Sequence, residues 1–517
     1  KHYYFYKKCG ILLLQMLSAM QFCGKLNISV LKHIHNRYFL TITFIGGKFL
    51  VFSSLVFLYI FLPLCLVFYF LTKNIKIRNA VLLVFSLAFY AYGEPKYILL
   101  MIATVLVDYI GGLLVDRYRG KVLSKLFLFL SVAITLSSLA LFKYSDFFAQ
   151  SLNSAFSLNI KSLGLALPIG ISFYTFQALT YVVDVYRGKV RVQDSFFKLL
   201  LYVSMFPQLI AGPIVRYSDV ERQLSSRTVT LKGASDGILR FCIGLIKKTI
   251  IANYAGELST KLIGGDMNGV SFAGAWIGII AFTLQIYFDF SAYSDMAIGL
   301  GKIFGFDFPE NFRYPYCADS VNDFWRRWHI TLSSFFRDYV YIPLGGNRKH
   351  WAFNMLIVWV LTGFWHGASY NYILWGLYYF FFLMLEKIYI GKRLSRTSSV
   401  IKHIYTLLVV VIGWAFFYFE DLANLKNFFR AIFFQNGFST LTEKTVAQNY
   451  IAVIIIGIIA SLPIASIIKR FAQNISASRS GKAVVNLSII LFVLFSLTVS
   501  TASLIGDSYN PFLYFRF

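Results

Sequence analysis

Charge is scarce in this sequence. Charged residues fill 14% of its 517 positions and hydrophobic ones 58%, with a mean hydropathy of +0.65. That balance excludes an ordinary water-soluble domain, in which charged residues reach about a quarter. Acids are scarcer still, with 23 Asp and Glu against 49 Lys and Arg, a net charge of +26. The five cysteines (Cys9, Cys23, Cys65, Cys242 and Cys317) are an odd number without paired spacing, which indicates neither a disulfide framework nor a zinc site. Cys65 and Cys242 fall in apolar runs and are expected to pack as small hydrophobes. Repeats and low-complexity tracts are absent, and the widest polar connections, 218–235, 305–348, 391–402 and 421–448, are too short for a separately folded domain. There is no G-x-S-x-G elbow, no H-E-x-x-H pair and no P-loop.

What the chain has is long apolar runs. A helix crossing a hydrocarbon core of about 30 Å needs roughly 20 residues. Runs of that kind cover 51–71, 97–115, 126–142, 163–183, 196–215, 271–290, 351–365, 370–390, 403–419, 450–468 and 485–504, with shorter ones at 80–92 and 237–254. They do not alternate as barrel strands do, so the expected fold is all-α and polytopic, with roughly eleven to thirteen membrane helices or half-helices.

Basic residues cluster after every second run: Lys73, Lys76 and Arg78; Arg117, Arg119, Lys121 and Lys125; Arg187, Lys189 and Arg191. If these loops are cytoplasmic, the first run enters from outside. The positive charge is then a topology signal that also suits anionic membrane lipids, and no nucleic-acid module claims it. The first residues differ in character: 1–48 is a patchwork of basic, aromatic and apolar residues without a clean signal-peptide cleavage site. Residues 1–49 are expected to be an extension upstream of Leu50, the initiator encoded by TTG, and 50–517 one membrane domain whose catalytic half is about 163–390. An amphipathic helix at 11–20 is the alternative for the extension.

Ionisable and polar side chains inside membrane runs are costly and usually face a bundle interior or a wet cavity. The rule selects Asp108, Asp184, Gln208, Lys247, Lys248, Gln285, Asp289, Asp295, His366 and Glu386. His366 is the sharpest of these. In "LTGFWHGAS" it ends an apolar run between Gly363 and Gly367, which would let another backbone or a ligand approach. A second histidine, His329, stands in "DFWRRWHITLSSFFRDYVYIPLGGNR". That stretch reads as a helix lying in the interface or dipping back into the protein, anchored by Trp325 and Trp328. Asp289 and Asp295 either orient a reacting group or stitch helices together. Lys247 and Lys248 are expected to snorkel to the surface, Arg216 to make a structural ion pair, and Gly212–Pro213 to break the backbone beside a cavity.

"FPQLIAGPIVRYSDV" (206–220), "LQIYFDFSAYSDMAIGLGKIFGFDFPENFRYPY" (284–316), the His329 stretch and "LTGFWHGASYNYILWGLYY" (361–379) occur in that order. Together they resemble the alginate O-acetyltransferase branch of the membrane-bound O-acyltransferase superfamily, a likeness that runs from about residue 51 to the closing "YNPFLYFRF". The resemblance implies a ring of tilted helices around a funnel with re-entrant segments. It implies His366 as the catalytic residue, with His329 a second essential histidine beside it. It further implies acetyl-CoA as a cytoplasmic thioester donor, an extracytoplasmic acetyltransferase partner and a polysaccharide acceptor. The multi-pass protein would sit in the cytoplasmic membrane of a bacterium.

The chemistry suits the residue type. Acyl transfer from a thioester to a hydroxyl needs a base, and imidazole, with an unperturbed pKa of about 6.5, is poised to serve. No metal is expected, because the histidines lack nearby paired ligands. The alternatives are D-alanyl transfer from a carrier protein to teichoic acid and, in another class, a proton-coupled transporter or polysaccharide conduit.

Overall fold

The computed structural model describes residues 50–506, 510, 512 and 513. The expectations for 1–49 lie outside the described residues. Among the described residues every regular element is helical. In chain order they are α1 (Leu62–Phe70), α2 (Ile75–Gly93), α3 (Ile98–Arg117), α4 (Val122–Phe156), α5 (Ile171–Tyr186), α6 (Phe196–Ser204), α7 (Tyr217–Ser225), α8 (Leu231–Ile246), α9 (Asn253–Ile263) and α10 (Phe272–Phe304). There follow α11 (Val321–Arg327), α12 (Ile330–Phe336), α13 (Trp351–His366), α14 (Tyr370–Leu385), α15 (Ser399–Tyr418), α16 (Leu422–Ala431), α17 (Leu441–Asn449), α18 (Ile451–Ala460), α19 (Ile464–Ile475) and α20 (Arg479–Gly506), with short turns between. The protein is all-α and polytopic.

Among the described residues, seven helices are long and apolar enough to span a membrane: α2, α3, α4, α10, α14 continued to Arg396, α15 and α20. The pair α17 and α18, bent by 54°, makes an eighth if it is one span. Phe57–Phe70 and α13 are shorter apolar helices. Local chemistry sets the ends. The Asn74 side chain caps α2 and Ser271 caps α10, while Thr440 and Glu443 form a capping box on α17.

Several apolar runs differ from the helices they become. The run 163–183 is irregular up to Gly170, since Pro168 disfavours helix before it and Gly170 takes φ +74°. The run 126–142 lies within α4, which continues to Phe156 and carries Lys143 into the protein. The run 196–215 breaks at Met205 before Pro207 and turns at 210–213, in buried backbone as the Gly212–Pro213 pair suggested. In the run 450–468, Pro463 separates α18 from α19.

The central element is α10. Of its most apolar window 72% is buried, against 11% for α20, so α10 faces protein all round while α20 lies at the periphery. It joins two apolar clusters. Tyr293–Phe304 packs with Phe52, Phe57, Tyr174 and Phe206, and Phe282–Phe288 with Trp325, Trp328, Trp375 and Trp414. Its contact with α8 is close because glycines meet backbone: a Cβ on Gly237 would strike the Gly299 carbonyl, and one on Gly244 the carbonyl of Ala292.

Polar side chains fasten the same helix. Asp295 receives Arg240 and Lys247, the latter at 2.7 Å, and Asp289 pairs with Lys248 at 2.7 Å. Lys248 is 3% exposed, which corrects the expectation that it reaches the surface: a carboxylate on the facing helix compensates its charge. Lys247 likewise turns inward, to Asp295. Arg216 makes its ion pair, with Asp338 at 2.8 Å. Cys65 and Cys242 are buried as expected.

Candidate active site

Helix α13 ends at His366. The glycines around this histidine let another backbone in: a Cβ on Gly363 would run into the carbonyl of Tyr372, and one on Gly376 into that of Trp359. So α13 and α14 lie nearly in backbone contact on either side of the turn 367–369 that follows the histidine. The imidazole lines a cavity of about 30 Å³, with Ile286, Asp289 and Phe290 from α10, Trp328, Trp375 of α14, Trp414 and Phe417 of α15, and Phe512 and Leu513 of the C-terminal tail. The Trp375 and Phe417 rings each stand edge-on to His366 at 5.1 Å. A cavity of this size holds about one water-sized group.

His329 is 1% exposed and is not among the residues lining that cavity. It stands behind the wall. Phe290 meets its ring edge-on at 4.7 Å. Trp365 lies between the two histidines, its ring 5.7 Å from that of His329 and 4.8 Å from that of His366. The structure therefore brings the two together around one indole, through helices 37 residues apart in sequence (366 − 329).

The backbone at His329 takes φ +44°, a left-handed conformation uncommon for a residue with a side chain. Asn311, in the loop after α10, explains how it is held. Its Oδ1 accepts the Thr331 amide at 3.3 Å and the Thr331 hydroxyl at 2.9 Å, and its backbone carbonyl accepts the Ile330 amide at 3.0 Å. The same Oδ1 lies 3.1 Å from His329 Nδ1. Because the Thr331 amide is an obligatory donor, that oxygen is an acceptor, and Nδ1 must carry hydrogen. In the neutral ring the lone pair is then on Nε2, which has no hydrogen-bond partner among the described residues.

The sequence motifs and this geometry converge with comparison to known proteins. A model of the membrane-bound O-acyltransferase family matches residues 97–425. The chain belongs to that family. A probable alginate O-acetylase of Pseudomonas putida is 37% identical over 490 residues, covering 90% of this chain and 100% of the relative. A peptidoglycan O-acetyltransferase of Helicobacter pylori is 34% identical over 440 residues, 78% of this chain and 83% of the relative. A teichoic acid D-alanyltransferase of Bacillus subtilis is 29% identical over 272 residues, 48% of this chain and 68% of the relative. This membrane-bound O-acyltransferase is thus a multi-pass membrane enzyme of acyl transfer.

The remaining polar residues divide by role. Asp289 reaches the cavity, while its carboxylate pairs with Lys248 and accepts the Leu513 amide at 2.8 Å. Asp295 stitches α8 to α10. Glu386 accepts the first amides of α11, those of Val321 and Asn322, and Asp184 accepts Tyr339 Oη at 2.7 Å. The His329 stretch divides between the two settings expected for it: the part up to Phe336 is largely buried in the protein, while Ile342 and Leu344 beyond it are exposed. Trp325 and Trp328 do not anchor an interface; they pack among Trp359, Trp375 and Trp414, because the helices around them supply an aromatic slot. Arg327 pairs with Asp323 of its own helix. Among the described residues no group of three His, Cys, Asp or Glu is arranged to hold a metal.

Sequence reasoning missed Asn311, the cavity aromatics Phe290, Trp414 and Phe417, and Lys143. Only Lys143 carried a signal: a lysine directly after an apolar run, in "LALFKYSD", where the helix had room to continue.

Proposed function

We propose that this membrane-bound O-acyltransferase moves acetyl groups from a cytoplasmic thioester, acetyl-CoA, toward a cell-surface or exported polysaccharide, with His366 as general base. The observation that carries the reading is the seating of His366 at a small cavity walled mostly by aromatic side chains, which brings only a small group to the imidazole. The names of the relatives, an alginate O-acetylase and a peptidoglycan O-acetyltransferase, point to the same acyl group and class of acceptor. An aminoacyl group such as D-alanyl brings an ammonium, and the acid at the cavity, Asp289, is already paired with Lys248; this favours acetyl.

In the reaction an acceptor hydroxyl gives its proton to the imidazole as its oxygen bonds to the acyl carbon. The C–S bond then breaks and the thiolate leaves with the electron pair. A positioned base supplies about 10²–10⁴ in rate. His329, whose bond to Asn311 leaves the lone pair on the buried Nε2, is the second histidine of the site and packs against Trp365 from its far side. The setting is the cytoplasmic membrane, in contact with anionic lipids. The catalytic half is 163–390 of a membrane domain spanning 50–517, and an extracytoplasmic acetyltransferase is the partner that delivers acetyl to the glycan.

The test is transfer of labelled acetyl from acetyl-CoA in membranes carrying the protein and its neighbouring gene products, wild type against His366→Ala at matched expression. Label on a glycan or partner protein with wild type alone is the expected result. Equal labelling removes His366 from the reaction. No labelling by either, with transfer from a D-alanyl carrier protein instead, replaces the acetyl reading, and cargo movement without any transfer replaces it with transport.

A further inference from the structure

Lys143 is a buried cation with no part in the chemistry proposed above, yet its backbone contacts lead to Trp365 and His366. It projects from α4 and is 9% exposed. Its Nζ donates to the carbonyl of Trp365 at 2.5 Å and lies 3.3 Å from the carbonyl of His366 and 3.4 Å from Ser172 Oγ. The next residue, Tyr144, donates its hydroxyl to the Phe364 carbonyl at 2.7 Å. Two consecutive side chains of one helix thus take three consecutive carbonyls at the end of another.

The last carbonyls of a helix have no intrahelical donor, and they form the negative end of its dipole. A buried end must find partners elsewhere, and a cation is the strongest partner it can find. No carboxylate forms an ion pair with Lys143 among the described residues. An ammonium inside an apolar helix of a membrane protein is expensive, and such residues are kept where they serve a site. Packing alone would be met by leucine or methionine. The three donor hydrogens of Lys143 instead go to acceptors that include the backbone of both Trp365 and His366, the pair whose rings make up the histidine centre. Beyond His366 the chain leaves the helix at Gly367, which has no side chain to fasten it.

We propose that Lys143 is a positioning residue for acyl transfer: its ammonium clamps the C-terminal carbonyls of α13 and so holds the His366 imidazole, with Trp365, at its place in the cavity. The proposal rests on the reading of His366 as the base. Lys143 touches no reacting atom in this scheme. It acts on turnover and leaves donor binding alone, because it orients the base and is not among the residues that line the cavity.

The experiment measures kcat and donor KM for acetyl transfer with wild type, Lys143→Met, Lys143→Arg and Tyr144→Phe, alongside His366→Ala, in membranes with thermal unfolding recorded for each. Lys143→Met is expected to lower kcat by on the order of 10²-fold, the scale of a misplaced catalytic group, with donor KM nearly unchanged. Lys143→Arg, which keeps the cation and its donors, should recover most of that loss, and Tyr144→Phe should lower kcat by less than Lys143→Met. Wild-type kcat in Lys143→Met overturns the proposal. So does an equal loss in Lys143→Arg with unaltered unfolding, or a rise in KM with kcat intact. If Lys143→Met does not accumulate, Tyr144→Phe decides: reduced kcat at unchanged unfolding supports the clamp, and wild-type kcat overturns it. Wild-type transfer by His366→Ala would sink the reading of the base, whereas its loss together with wild-type kcat in Lys143→Met sinks the clamp alone.

Discussion

At the scale of single residues, Asn311 does more than its place in a loop suggests. One amide oxygen accepts from His329 Nδ1 and from both the amide and the hydroxyl of Thr331, while its Nδ2 donates to Ser294 Oγ at 3.2 Å. Thr331 in turn accepts the Ile214 amide at 3.0 Å, so the network ties the His329 segment to the 210–213 turn. Replacing Asn311 by leucine keeps the volume and strands these donors in a buried place. Each stranded group costs about 1–3 kcal/mol. Asn311→Leu is therefore expected to lower the unfolding temperature in detergent and to reduce transfer by releasing the tautomer and the left-handed backbone of His329. Wild-type unfolding would show that the network is dispensable. His366 was legible in sequence because a histidine between glycines interrupts an apolar run. Asn311 was not, and Lys143 showed only as a lysine after an apolar run, since their meaning comes from partners 18 and 222 residues away, which no local pattern encodes.

At the scale of elements, the decisive feature is the close approach of α13 to α14. Gly363→Ala places a methyl group where the Tyr372 carbonyl stands, and backbone has nowhere cheap to go. Overpacking of this kind costs about 1–3 kcal/mol. Because Gly363 lies one helical turn before His366, the displacement should also reach the imidazole. The expected outcome is a lower unfolding temperature together with reduced kcat, read by thermal unfolding and acetyl transfer on the same preparation; intact kcat despite lost stability would separate the helix contact from the chemistry. Hydropathy found the membrane portion of most helices but not their ends. An apolar run says that a segment avoids water, and it says the same of the irregular, buried 210–215 backbone as of a spanning helix. The breaks follow Pro168, Pro207 and Pro463, residues the runs had absorbed without weight.

At the scale of the molecule, the two apolar clusters meet on α10, and the cavity lies at the Asp289–Phe290 step where one gives way to the other. The tail closes it. Asn510 donates to the Ser53 carbonyl at 2.8 Å, which joins the two ends of the described chain. Phe512 stacks on Tyr293 at 4.9 Å, and the Leu513 amide reaches Asp289. An acyl donor bound beside a base needs water kept out, because water is itself an acyl acceptor. Phe512→Ala removes a ring from the cavity wall, and a chain stopped after Gly506 removes the wall and the Leu513 donor together. Both variants are expected to divert the reaction: acetate released per acetyl transferred should rise, more for the truncation than for Phe512→Ala, when labelled acetate and labelled acceptor are counted in one assay. An unchanged ratio at lower total rate would mean that the tail supports the fold around α10 without sealing the site. The sealing role was hidden from the sequence, where the closing residues looked like part of a family motif. The physical basis for it is seen only where Phe512 meets Tyr293 and the Leu513 amide meets Asp289 on the central helix.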